Sequence, residues 1–467
     1  MLACIVHVGS KGGSKTMKRA IVLTLCLLTL ASGGFAGTAT YSISDLGSLG
    51  GSYSFAYGID NTGRVTGISG TPDGSGRAFI WQDGTMTDLG TLGGWGGQGR
   101  GICPDFVVGQ SNADTGDAHA CLWQNGVATD LGTLGGYTSC AYGINAAGQV
   151  VGMADADIES GDYHAFSWKD GVMVDLGTLG GLLSCAYNVN SSGTIVGYSS
   201  TSDQQWRAVA WQDGVITDLG ISGTAYSIND SGDIVGMSYV GWHAFLFSNG
   251  IVTDLGTLGG PASYAYDINE SRQIVGQAQT PTGSTSACLW EEGTAIDLNS
   301  LLAADSGWVL IEATGINDAG QITGWGLYIG QPSAFLLSPE RKITVPIDIE
   351  PRDTANRIKL SERGFTSVAI LAGILPGRSE YFDPADADPS TVTLAGAPVA
   401  KDNRDRYMIQ TADVNGDRKP DLILSVVTAQ MQVSPEDTSA VLEGKTFEGL
   451  EITGQDSIVI VDGKKRK

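Results

Sequence analysis

The phrase DLGTLGG is spelled letter for letter from residues 88, 130, 175 and 254. Aligning the chain on its Asp-Leu core puts Asp45, Asp88, Asp130, Asp175, Asp218, Asp254 and Asp297 in one column, with steps of 43, 42, 45, 43, 36 and 43. A period near 42 is that of a four-stranded propeller blade, so one supersecondary unit, copied along the chain, dominates what the chain can fold into.

Three further columns run between these anchors. The first is SCAYGIN (139–145), matched by AYGID at 56, AYNVN at 186, AYSIN at 225, AYDIN at 265 and ATGIN at 313. The second is GQVVGM at 148 and the third HAFSW at 164; GICPDFVVG at 101 is a degenerate copy of the first two. Each column is a short run rich in Val, Ile, Tyr, Phe or Trp between Gly, Asn, Asp or Ser, which reads as a strand. Turns such as NAAG, NDSG and KDG supply the glycine that a tight hairpin needs. The segment between the second and third columns varies from MSYVGW to MADADIESGDY, marking an exposed edge. At the chain ends the Asp column is out of phase: TYSISDLG (40–47) precedes any blade, and no such phrase follows SAFLLS at 333. The N-terminal strand is therefore predicted to complete the seventh blade, since a ring closed by both ends hides the edges an open array exposes. The expected fold is all-β: a seven-bladed β-propeller of four-stranded blades over 37–339, followed by a small β-sandwich-like domain over 340–467.

Charge is unevenly placed. Of the formal −23, residues 37–340 hold 30 Asp and Glu against 6 Lys and Arg, whereas residues 341–467 hold 20 against 17. Such a field repels phosphate backbones, which argues against nucleic acid and for cations or cationic surfaces, and it also keeps an exported protein soluble. Met17-Lys18-Arg19, the apolar run AIVLTLCLLTLA and the small residues after it form a Sec-type secretory signal over 1–36, with Met17 a candidate true start. The apolar run is too short to span a bilayer, and no transmembrane segment is expected in the mature chain. Cys103, Cys121, Cys140, Cys185 and Cys288 follow the signal; an odd number at irregular spacing reads as small core residues rather than a disulfide framework.

With Ala78-Phe79, His164-Ala165-Phe166, His243-Ala244-Phe245, Ala334-Phe335 and the DLGTLGG phrase, residues 41–338 resemble the bacterial extracellular repeat family named for its His-Ala-Phe motif. The resemblance implies a secreted or envelope-associated propeller-like protein without an assigned biochemical role. Past Pro339, phrases such as VPIDIEPRDTANRIKLSERGFTSVAILAG and TADVNGDRKPDLIL look like an accessory module at the end of bacterial extracellular proteins, covering 344–461. Alternating runs such as SVAIL and DSIVIV argue for β structure there.

That region holds the leading metal candidate: Asp413, Asn415, Asp417, Lys419 and Asp421. Oxygens at alternate positions can fold round Ca²⁺ as in the first half of an EF-hand loop. Arg418 replaces the usual Gly and Leu424 the bidentate acid, so a polar turn without metal is the competing reading. The acidic loop of Asp155, Asp157, Glu159 and Asp162 is a poorer candidate.

No catalytic residue emerges. His119, His164 and His243 occupy one column in three blades and should not converge on a metal. The column of Trp81, Trp123, Trp168, Trp211 and Trp290, with Phe247, reads as packing between blades. Seven equivalent Asp residues spell turn chemistry rather than a glycosidase pair. The strongest departures from the repeat are 94–105 and DADIESGD, and neither contains an Arg/Tyr/Glu constellation. The leading expectation is a non-enzymatic exported scaffold binding a carbohydrate, an extracellular protein or an envelope partner at one mouth of the ring. The alternative is a polysaccharide hydrolase or lyase with acids at the channel.

Overall fold

The computed structural model describes residues 41–157, 161–339, 342–360, 364–375, 381–447 and 450–461. The secretory signal and Glu159 lie outside the described residues. Seven four-stranded antiparallel blades follow one another, the fourth and fifth sharing one long strand, Val215–Ile228, that is outer in one and inner in the next. The shared strand removes four residues from the short 36-residue step, Asp218 to Ala225 spanning 7 positions where Asp175 to Ala186 spans 11, and the short loop before Ala244 removes the rest. The seventh blade is completed as predicted: Tyr41–Asp45 pairs antiparallel with Gln331–Pro339, from Tyr41 opposite Pro339 to Asp45 opposite Phe335.

The repeated letters have separate physical duties. In all seven copies the column Asp accepts the amide two residues on, from Asp45 with Gly47 through Asp254 with Gly256 to Asp297 with Asn299, at 2.7–3.0 Å. This is the Asx turn that the composition called for. The Leu residues pack between blades: Leu176 and Leu179 lie against a buried cluster that includes Trp211, and the Trp211 indole N–H donates to Leu176 O at 3.0 Å. His119, His164 and His243 each pair with the Asp of their own blade, Asp130, Asp175 and Asp254, at 2.8–2.9 Å, and Arg207 pairs with Asp218 in the same way. The five cysteines are buried and free, and burial raises their thiols, Cys140 to about 11. They are protonated core residues rather than nucleophiles.

A hydrogen-bonded belt ties each blade to the next where the inner strands end. The Nδ2 groups of Asn145, Asn190, Asn229, Asn269 and Asn317 donate to the carbonyls of Asn190, Asn229, Asn269, Asn317 and Asp60 at 3.0–3.2 Å. Asp60 has no side-chain donor, so Arg64, gripped by Asp60 Oδ2 at 2.7 and 2.8 Å, reaches Cys103 O at 2.9 Å instead. Cys103 Sγ then faces Asn145 O at 3.8 Å and completes the circle.

Past the ring, a four-stranded and a five-stranded sheet enclose a shared core that includes Ile349, Val368, Leu424, Leu442 and Ile452. This is the sandwich-like domain expected from the alternating runs.

Candidate functional site

The channel at the ring axis is lined by a local irregularity repeated in every blade. Along each inner strand the pairing skips one residue: Ala56 faces Gly67 and Gly58 faces Thr66, leaving Tyr57 unpaired. The same shift leaves out Arg100, Tyr142, Tyr187, Tyr226, Tyr266 and Thr314. A bulge of this kind re-aims one side chain, and all seven bulged residues line the axial cavity, about 320 Å³ in volume. The partner glycine is obligatory: a Cβ on Gly197 would lie 1.9 Å from Cys185 O, and its six counterparts are as tight.

Tyr142, Tyr187, Tyr226 and Tyr266 form a continuous aromatic arc, with successive ring centroids 5.1, 5.3 and 5.5 Å apart. Burial raises the phenols of these four and of Tyr57, so they serve as neutral donors and acceptors. Below the arc, Asn188 Nδ2 donates to Ser227 Oγ at 2.8 Å, and Ser227 donates to Asp267 Oδ1 at 2.7 Å. Asp267 also accepts from the amides of Ile268 and Ile316 at 3.0 and 2.9 Å. Asp267 is half-buried as a residue, yet burial of its carboxyl outweighs these donors and raises it to about 6.

Two charged residues break the symmetry. The Arg100 guanidinium lies 4.3 Å from the Tyr57 ring centroid and 5.8 Å from that of Tyr142, and donates to Gln98 Oε1 at 3.1 Å. Its Nε is buried without a partner, and among the described residues no carboxylate pairs with it. Glu312 accepts the Trp325 indole N–H at 2.7 Å and lines the same cavity. Here the sequence reading is corrected: segment 94–105 does contribute to an Arg/Tyr/Glu constellation, but its Tyr and Glu members come from other blades. A second cavity, of about 410 Å³ between blades one and two, is lined by Tyr53, Gln98, Gln110, Asn112 and the 67% exposed Trp95.

The other candidates are placed apart from the channel. The three His residues are spread over three blades, each beside its own Asp. Asp155 turns inward, its Oδ2 accepting the amides of Tyr137 and Thr138 at 3.0 and 2.8 Å. In the Asp413 loop, Asp413 accepts the amides of Gly416 and Arg418, Asn415 that of Asp417, and Asp417 that of Lys419. Arg418 takes the left-handed conformation, φ 68°, in the place where Gly is usual. The Lys419 ammonium sits 4.3 Å from the Tyr381 ring centroid, leaving only its carbonyl for a cation. Asp421 is fully buried and holds the amides of Ala372 and Val414 at 2.8 and 2.7 Å, so it faces the domain core. Among the described residues, no group of three or more His, Cys, Asp or Glu is arranged to hold a metal.

No family model and no curated protein matches the chain. Solved structures similar to it include a gluconolactonase from Xanthomonas campestris, 10% identical with a TM-score of 0.35, covering 64% of this chain and 91% of that one. YCF48 bound to a D1 peptide is 11% identical with a TM-score of 0.38, covering 64% and 95%. The Aleuria aurantia lectin in complex with Fucα1-6GlcNAc is 11% identical with a TM-score of 0.31, covering 57% and 98%.

Proposed function

We propose that this chain is an exported, non-enzymatic binding scaffold whose axial channel receives part of a carbohydrate, an extracellular protein or an envelope partner. The observation that carries this reading is that five of the seven bulged residues in the cavity lining are Tyr, so the concavity is made by the repeat itself. Neutral phenols on rigid bulges offer flat apolar faces and hydrogen-bonding edges at little entropic cost. The enzyme reading draws on Asp267 and Glu312, two carboxyls in one cavity. It is disfavoured because both Asp267 oxygens are held by Ser227 and the amides of the channel wall, whereas a proton donor must present an oxygen to the substrate. In the C-terminal domain, Asp413, Asn415, Asp417 and the Lys419 carbonyl form a half-loop suited to a weakly held Ca²⁺.

A glycan array combined with a reducing-sugar release assay tests the scaffold reading. Binding without release, weakened in Tyr187→Ala and Tyr226→Ala, is expected. Turnover would overturn it, and so would binding that both substitutions leave unchanged.

A further inference from the structure

We infer that the channel recognises a zwitterion, a ligand carrying a carboxylate and an ammonium on a short stem as a free α-amino acid does. The inference rests on the channel being the binding site and narrows what it takes.

Arg100 and Glu312 line one cavity and do not pair with each other. Opposite charges on the wall of one cavity gain by neutralising one another unless other contacts hold them apart. Such contacts are present. Arg100 is spread over the Tyr57 face and tethered by Gln98, and Glu312 is anchored by the Trp325 indole. Tyr57 lies between them and feels both charges.

Each group is also incompletely satisfied. Arg100 retains a buried N–H without an acceptor, and a guanidinium fork is shaped for two-point contact with a carboxylate. Glu312 accepts the Trp325 indole N–H and also faces the Tyr266 phenol, so an ammonium would use the lone pairs these donors leave, and the neighbouring Tyr faces would further stabilise it. A neutral sugar would leave both charges unmatched. A simple anion would answer Arg100 alone, and it would have to enter against the field of a chain with net charge −23. A zwitterion meets both groups and carries no net charge into that field. Both residues are departures from the repeat: Arg100 stands where five blades carry Tyr, and Glu312 where the others carry Phe55, Gln98, Cys140, Cys185, Thr224 and Tyr264.

The test uses the full chain and a panel of the standard L-amino acids, each alongside its N-acetyl and α-carboxamide forms, read by calorimetric titration. At least one free amino acid should bind, and blocking either its ammonium or its carboxylate should weaken binding about tenfold or more. In Arg100→Gln the free acid and its carboxamide should bind alike, because the carboxylate is no longer read. In Glu312→Gln the free and N-acetyl forms should bind alike. Failure of every free amino acid to bind overturns the inference, as does equal binding of the blocked forms to the unsubstituted chain. Binding that ignores both substitutions overturns it too. If a neutral glycan binds through Tyr187 and Tyr226 while no amino acid does, the channel keeps its role and only the zwitterion falls.

Discussion

The belt of asparagines makes a demanding prediction, because one blade already carries an alternative solution to the same problem. Asn190 is 6% exposed; its Nδ2 donates to Asn229 O at 3.1 Å, and its Oδ1 accepts Thr194 N at 3.0 Å. In Asn190→Ala the Asn229 carbonyl keeps the Gly232 amide, so its loss is one ordinary hydrogen bond, about 0.5–1.5 kcal/mol. The half-buried Thr194 amide loses its side-chain acceptor, which adds about 1 kcal/mol, the low end of the cost of an unsatisfied donor because water can reach the site. The sum is roughly 1.5–2.5 kcal/mol. Asn190→Asp keeps the acceptor but removes the donor and buries a charge, so its loss should be similar. Blade one solves this geometry with Asp60 and Arg64, four residues apart, so Asn190→Asp combined with Thr194→Arg should recover at least half of what the single change loses. All ten tryptophans lie between Trp81 and Trp325, so their fluorescence in guanidinium titrations reports on the propeller alone. If Asn190→Ala stays within about 0.5 kcal/mol of the parent, or the double variant is no better than Asn190→Asp, the belt is not a stabilising element.

Gly197→Ala should lose several kcal/mol in the same titration, since its Cβ would stand 1.9 Å from Cys185 O; Gly177→Ala, at φ +69° with nothing within 4 Å, should lose only about 1–2 kcal/mol. Equal losses would refute the steric account of the bulge. For Asp267, a carboxyl raised from 3.8 to about 6 in the folded state favours folding when protonated, so its contribution is complete below pH 3.8 and is lost as pH rises through about 6. The stability advantage of the parent over Asp267→Asn should therefore shrink by up to about 3 kcal/mol between those limits, and a constant difference across that window would count against it. Ca²⁺ should raise the melting temperature of the C-terminal domain with half-saturation on the order of 10⁻⁴–10⁻³ M, and Asp413→Ala should abolish the effect. No shift at about 10 mM Ca²⁺ would leave the polar turn as the correct account.

Much of the architecture was legible because it is local and repeated. The Asx turn needs only an Asp and the amide two positions on, and the seam of the ring follows from one column being out of phase. The His partners were harder to see. His119, His164 and His243 each meet an Asp eleven positions later, a pairing set by the register of a hairpin rather than by proximity in the chain. The cavity was hidden for a stronger reason. A skipped residue in a ladder leaves no compositional mark, and Arg100 and Glu312 stand far apart in sequence, so a search within 94–105 met only one of them. Blade two shows the same limit: Cys103 reads as a small core residue, yet its thiol stands where five other blades use Asn. The Asp413 loop was half legible, since alternating oxygens gave its turns while the burial of Asp421 depended on packing against Ala372.

The seam also sets how the ring answers to force. Tyr41 is opposite Pro339, and the five pairs run from there to Asp45 opposite Phe335, so both chain segments leave the pair at the same end. Tension between residues 41 and 339 would load these pairs one at a time, opening them like a zipper, whereas a pull from opposite ends would shear all five together. The outer strand of the seventh blade is thus the mechanical fuse of the ring. Ser42 and Ser338, bonded across it at 3.3 Å, are 296 positions apart, so peeling this short strand cuts the longest loop in the propeller while the other six blades keep their own hairpins.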